Sequence, residues 1–202
     1  MRTRVLPPEL ADQLVAAAAK LPADYDDIRL DDIAAASGIP RATLYYYFSG
    51  KDDILAFFLL GRIEEFGRAE AASPIDHEGT RDRLHHLVQR QIEHISSSPA
   101  AAQFAMLNMG RVAKAADLTS AADRAFIDPI RSTLRDGIAR GDLRDIDIET
   151  TAVAICGAVS TLAIRTPIVG DSVDPAQLAD DLVELFLAGS LAPPKKGKRQ
   201  RS

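Results

Sequence analysis

The sequence predicts an all-α chain of about nine helices, in which a three-helix N-terminal unit built on a helix-turn-helix precedes a larger helical unit. Three observations predict it. Alanine is abundant while aromatics are only 5% and tryptophan is absent, a composition that favours helices over strands. Apolar residues recur at helical spacing, and no alternating Val/Ile/Thr run occurs. Proline and glycine fall where helices would start and stop. With 202 residues and 47% apolar content the chain can bury an ample core. The single cysteine excludes an internal disulfide. No signal peptide opens the chain, and no apolar run is expected to approach the roughly 20 residues of a membrane span, so a reducing cytoplasm is the expected location.

The first helix is expected from Pro8 to Leu21, with Leu10, Leu14, Ala18 and Leu21 on one face and Pro22 ending it. The acid-rich stretch 23–32 lacks the glycine and distal glutamate of a calcium loop and reads as a solvated connection, with Asp31 and Asp32 as helix-start charges. Leu30, Ile33, Ala34 and Ser37 then fall at i, i+3, i+4 and i+7. Gly38 follows as a left-handed stop, Ile39 as an inward anchor and Pro40 as the first position of the next helix. In that helix, Arg41 to Tyr47, Leu44 and Phe48 face inward. Arg41, Ala42, Thr43, Tyr45 and Tyr46 are left outside. So many tyrosines on so short a helix cannot all be buried, and an exposed phenol can hydrogen-bond a phosphate or pack on a thymine methyl. Lys51 opens the following helix, where an ammonium beside a helix N-terminus suits a phosphate. The pattern points to double-stranded DNA.

Charge agrees only locally. The chain carries −5, and its basic end (Lys195, Lys196, Lys198, Arg199, Arg201) offsets five charges of a remainder at −10. Between Gly38 and Lys51 there are two cations and no acid, and Arg2 and Arg4 open the chain as a possible basic arm. An acidic remainder opposes indiscriminate nucleic-acid binding.

Further along, a long helix is expected from Asp52 to about Ala72, broken by Ser73-Pro74 and linking the two units. An amphipathic helix follows over Thr80 to Ser97, with Leu84, Leu87, Val88, Gln91, Ile92 and Ile95 on its buried stripe. His86, Arg90 and His94 lie off that stripe and read as a solvated face, since a central arginine would repel a metal; no metal site is expected. Pro99 to Gly110 and Ser120 to Arg140 form two more helices, the second carrying Pro129 in its interior, where a kink or break is expected. Gly141 to Arg144 is a turn. Asp147 to Arg165 is apolar on nearly every side and ends at Thr166-Pro167. The last helix, capped by Asp174 with Gln177 placed for a capping box, runs to about Leu187. Two terminal helices this apolar exceed what a small monomer hides, which predicts a homodimer with a four-helix interface. Cys156 is then a buried small residue and not a nucleophile. Pro193 to Ser202 cannot pack.

The run Asp32-Ile33-Ala34, Gly38-Ile39, Thr43-Leu44-Tyr45-Tyr46-Tyr47-Phe48 and Lys51 resembles the N-terminal signature of the tetracycline-repressor (TetR) family of bacterial transcription regulators, D-I-A, four residues to G-V, then T-L-Y-x-Y-F and a lysine three residues on. The resemblance covers about an eighth of the chain. It implies that Arg41, Ala42, Thr43, Tyr45 and Tyr46 meet bases and phosphates and that Lys51 contacts phosphate; the position of Tyr47 faces DNA in some members and the core in others. The threonine that usually caps helix two is replaced by Ile28-Arg29, so either Arg29 substitutes or that contact is absent. The usual serine at the start of helix three is Pro40, which loses a hydroxyl contact and keeps helix initiation. The resemblance also implies a small-molecule pocket in the middle of the chain, with Phe58, Phe104, Met106, Met109 and Phe126 as the expected lining, a homodimer, and a near-palindromic operator.

The expected organisation is a DNA-binding unit over 1–51, an effector-binding and dimerising unit over 52–192 and a basic tail over 193–202. Function is expected to be transcriptional regulation, with repression relieved by a small molecule. No cofactor is expected. A helical protein-interaction module is the alternative. A small helical enzyme has no motif in its favour, since nucleophile elbow, H-E-x-x-H and phosphate-binding glycine loop are all missing.

Overall fold

The computed structural model describes residues 6–18, 20–21, 27–72, 79–107, 116–168 and 174–188. Its helices are α1 (Pro8–Ala18), α2 (Leu30–Ser37), α3 (Arg41–Tyr47), α4 (Lys51–Ala72), α5 (Thr80–Ser96), α6 (Pro99–Leu107), α7 (Ala116–Ala122), α8 (Asp128–Arg140), α9 (Ile148–Ile168) and α10 (Pro175–Ala188). A π-helical turn, Asp123–Ile127, joins α7 to α8 without a break, so the described residues form nine rods. There is no strand among them.

Two cores organise the chain. The first gathers Leu14 of α1, Ile33 of α2, Leu44 of α3 and Ile54, Leu55, Phe58 and Leu59 of α4, together with Ile28 and Ile39 between helices. Ala101 and Phe104 of α6 and Leu118 of α7 reach into the same cluster, so the small N-terminal unit does not pack alone. The second core is formed by α5, α8, α9 and α10, with Leu84, Val88, Ile92, Ile130, Leu134, Val159 and Ala163 at its centre. Helix α4 runs from the first toward the second. Its 22 residues span about 33 Å at 1.5 Å per residue.

The π turn answers the sequence problem at Pro129. A proline ring lacks the N–H and crowds the carbonyl four residues back, so the turn before it widens instead of breaking. Asp128 N–H donates to the Asp123 carbonyl, an i→i−5 bond. The buried Gln91 Nε2 donates to the Phe126 carbonyl at 2.8 Å, satisfying a group inside the widened turn. The rod therefore stays continuous where a kink or break is expected, and it begins at Ala116, four residues before Ser120.

Other boundaries also move. Helix α9 continues past Pro167 and ends one residue later, at Ile168. Asp174 caps α10 through Ala176 N–H at 2.9 Å, whereas the Gln177 side chain donates to Asp181 at 3.0 Å instead of closing a capping box. Pro40 is the N-cap of α3, not its first residue. By length and composition α9 could cross a membrane, contrary to expectation. Thr150, Thr151, Gly157, Ser160 and Thr161 interrupt the apolar run, but Ala, Val, Ile and Leu between them keep the whole segment apolar.

A tight joint closes the second core. Thr80, buried at the start of α5, donates from Oγ1 to Asp142 Oδ2 at 2.7 Å and accepts from Arg140 Nη2 at 2.8 Å. That hydrogen bond from Thr80, then the one from Arg140, hold the Asp142 carboxyl below its usual pKa. A Cβ on Gly137 would lie 2.7 Å from Thr80 Cγ2 and 2.8 Å from its Oγ1. Thr80 cannot rotate away without losing both hydrogen bonds. Gly137→Ala is therefore expected to lower unfolding free energy by about 1–2 kcal/mol, overpacking outweighing the roughly 0.5–1 kcal/mol that alanine normally gains in a helix. Urea unfolding measures this, and an unchanged or raised midpoint would contradict the joint.

Candidate nucleic-acid interface

The turn between α2 and α3 is fixed by local chemistry. Gly38 is left-handed at φ 71° and its N–H donates to Ala34 O at 3.0 Å. The Ser37 hydroxyl donates to Ile33 O at 2.7 Å and accepts from Ile39 N–H at 3.2 Å, which ties the turn to the helix before it. Ile39 is buried, as an inward anchor must be. At the start of α2 the Asp32 carboxylate accepts the Arg29 backbone N–H at 2.8 Å. The Arg29 cap is thus made by its backbone, and its side chain stands exposed.

Helix α3 divides as its sequence demands. Leu44 is buried at 2% exposure, and Phe48 packs edge-on against Phe57 at 6.0 Å between ring centres. Arg41 and Ala42 are exposed, Thr43 is half-buried, and Tyr45 and Tyr46 are exposed at 55% and 54%. Tyr47 is half-buried, with its ring edge-on to Tyr46 at 5.0 Å. Lys51, half-buried, begins α4, whose N-terminus is closed by Asp53 accepting Ser49 N–H at 2.7 Å. Arg41, Ala42, Tyr45, Tyr46 and Lys51 thus ride on a short helix and the start of a long one, both anchored in the first core.

Arg41 is already engaged. Its Nη1 donates to Asp31 Oδ1 at 2.7 Å, and its guanidinium lies 6.0 Å from the Tyr45 ring centre. A hydrogen bond to the Tyr45 side chain, then the Asp31 charge, raises its pKa above the ordinary value. From the sequence Asp31 reads only as a helix-start charge. Its pairing with a residue ten positions away is a contact between helices, which periodicity does not reveal.

The expected pocket residues do not converge. Phe58 and Phe104 pack together in the first core, Met106 is 40% exposed, and Phe126 stacks on Phe66 with ring centres 5.0 Å apart. Met109 lies outside the described residues. An open cleft of about 410 Å³ lies between α4 and the α7–π segment, lined by Ile63, Gly67 and Arg68 on one side and Ala121, Arg124 and Ala125 on the other. A Cβ on Gly67 would meet Ala125 Cβ at 3.3 Å, so the helices nearly touch at this point.

The face of α5 expected to be solvated instead packs on α4. His94 lies 4.7 Å from the Phe66 ring and 5.9 Å from Phe126. Glu70 is buried. Its Oε1 accepts from Arg90 Nε at 3.0 Å, and its Oε2 lies 3.8 Å from His86 Nε2. A buried carboxylate needs such a cation, because an unpaired one would be costly to keep. Among the described residues no group of three or more potential metal ligands occurs. The Cys156 thiol contacts Gln91 Oε1 at 3.5 Å, and burial pushes its pKa up to about 12, far from a nucleophile's range.

The family model for bacterial regulatory proteins of the tetR family matches residues 14–56, the segment from α1 to the first turns of α4. No curated protein matches the sequence. Among solved structures, the fatty acid degradation regulator FadR from Bacillus halodurans is similar at a TM-score of 0.74 and 19% identity, over 94% of this chain and 100% of that one. FadR from Bacillus subtilis, solved in complex with stearoyl-CoA, is similar at 0.70 and 17% identity, over 90% and 97%. A TetR/AcrR-family transcriptional regulator from Thermobifida fusca gives 0.66 and 21% identity, over 90% and 98%. At these identities the likeness shows the fold.

Burial, then the Arg62 charge, lowers the His94 pKa to about 4, against an ordinary 6.5. A lowered folded value means that the unfolded chain takes up this proton first. The stability that neutral His94 contributes is complete above about pH 6.5 and lost as the pH falls toward 4. Urea unfolding across that window should show declining stability, and His94→Gln should flatten the decline; an identical slope in the variant would remove His94 as its source.

Proposed function

We infer that this chain, which belongs by its N-terminal domain to the tetR family of bacterial regulatory proteins, uses α3 to read an operator and releases it when a small molecule binds. It is a sequence-specific DNA-binding transcriptional regulator. The observation that carries the contact assignment is the division of α3, with Leu44 buried and Arg41, Ala42, Tyr45 and Tyr46 turned out on an anchored helix. In this reading Arg41, Ala42, Thr43, Tyr45 and Tyr46 enter the major groove, and Arg29 and Lys51 hold phosphates on either side.

The second part of the proposal is a homodimer. Helix α9 is apolar almost all round, yet only 28% of Ile148–Arg165 is buried within one chain. Val153 and Leu185 are exposed at 47% and 53% on α9 and α10. A symmetry mate covering both helices removes that apolar surface from water and sets two α3 helices to face successive major grooves, about 34–36 Å apart. A near-palindromic operator follows from the symmetry. The division at residues 51 and 52 is functional rather than mechanical, since α4 belongs to both parts.

Effector control is proposed where α4 meets the middle of the chain. Ile63 borders the cleft and also packs against the Phe58–Phe104 cluster. A ligand entering there and parting α6 from α4 would be lined by Phe58, Phe104 and Met106, with Phe126 of the π turn beyond; Met109, also expected in the lining, lies outside the described residues. Such a wedge moves α4 and hence Lys51 and α3, so ligand and operator oppose each other by one reciprocal coupling free energy. The stearoyl-CoA of the Bacillus subtilis protein makes acyl thioesters a rational first set to test.

A protein-interaction module, the alternative, would use the tyrosines as a partner surface but would show no preference for a palindrome. Two measurements test the proposal. Tyr45→Ala and Lys51→Ala should each weaken operator binding by about tenfold, with Lys51→Ala also lowering the salt slope by about one and neither altering helical content. Unaltered affinity in both would discard the assignment. Sedimentation at micromolar concentration should give twice the 21.8 kDa chain mass, and a value near one chain would refute the dimer.

A further inference from the structure

We propose that Asp31 is a positioning residue that restrains Arg41 on the protein surface, suppressing its use for phosphates and reserving it for a base edge. This rests on the reading of α3 as the recognition helix. A guanidinium has five N–H donors in a rigid fork. Asp31 takes the Nη1 side at 2.7 Å, and Tyr45 holds the cation from its ring side, so the group has two neighbours before any DNA arrives. Both partners are exposed, at 52% and 67% of their side-chain surface, so the pair adds little to stability and can be exchanged at low cost.

The consequences differ for the two kinds of DNA complex. On a random duplex, Arg41 would have to swing to a phosphate, giving up Asp31 and leaving that carboxylate beside the backbone charge. At the correct base pair, the donors not used by Asp31 can fork onto the O6 and N7 acceptors of a guanine while the Asp31 contact persists. The acid therefore penalises non-specific binding more than operator binding. That is selectivity by a built-in competitor, in a protein whose acidic remainder acts in the same direction.

The test measures operator and scrambled duplexes side by side by fluorescence anisotropy over a salt series, for the parent chain, Asp31→Ala, Arg41→Ala and the double variant. Asp31→Ala should raise scrambled-duplex affinity about two- to fivefold, the range an exposed ion pair commands, steepen the salt slope by about one, and leave operator affinity within twofold. In the Arg41→Ala background the same change should do almost nothing. An equal rise on both duplexes, or the same rise without Arg41, would assign Asp31 only a diffuse charge effect and overturn the proposal. A loss confined to the operator would make it a structural support for α2. If the parent chain prefers no duplex in a genome-wide fragment selection, the regulator reading fails and the proposal falls with it.

Discussion

Helix α4 has to satisfy two cores at once, and the rest of the molecule is arranged around that requirement. Its first half buries Ile54, Leu55, Phe58 and Leu59 among the helices of the helix-turn-helix. Its second half buries Phe66 and Glu70 against α5 and the π turn. A single straight rod cannot be redirected at one end without consequence at the other, since its ladder of hydrogen bonds bends little over six turns. The short helices α2 and α3 therefore inherit their position from contacts made some 20 Å or more away, counted along the rod.

What holds the far end of α4 is unusually polar for a helix joint. The buried Glu70 meets Arg90, and His94 sits against the stacked Phe66 and Phe126 rings. Gln91 reaches the Phe126 carbonyl from α5 and meets Cys156 of α9. Directional contacts of this kind specify one relative placement of α4, α5, the π turn and α9, where apolar packing alone would tolerate several. They are also contacts that an inserted ligand would have to respect or break, which suits a junction expected to have two arrangements.

The helix-turn-helix is largely legible in the sequence because it is built locally. Gly38, Ile39 and Pro40 mark a turn by backbone requirements that act within three residues, and Leu44 with Phe48 declare the inward side of α3. The junction was not legible. Glu70 and Arg90 are twenty positions apart on different helices, and His94 reads as solvated from the stripe of its own helix, which does not reveal α4 beside it. Pro129 announced a disturbance without saying that a widened turn would absorb it, because the absorbing partner is Gln91 of another helix. The position of Arg41 on α3 declares it outward but not that Asp31 holds it through a contact between helices. Size and softness mark pocket and core residues alike, and of the expected pocket residues the four described ones are dispersed between a packed core (Phe58, Phe104), an aromatic stack (Phe126) and the surface (Met106).

The single cysteine has a practical consequence. Its thiol is half-buried and engaged with Gln91, and burial pushes its pKa up to about 12, which leaves little thiolate at neutral pH. A second cysteine engineered on the exposed side of α3 would ionise orders of magnitude more readily and take a maleimide fluorophore or nitroxide without prior removal of the native one. The wild-type background is thus already suited to site-selective labelling, and in the proposed dimer the separation of two α3 helices would become accessible to spectroscopy in solution.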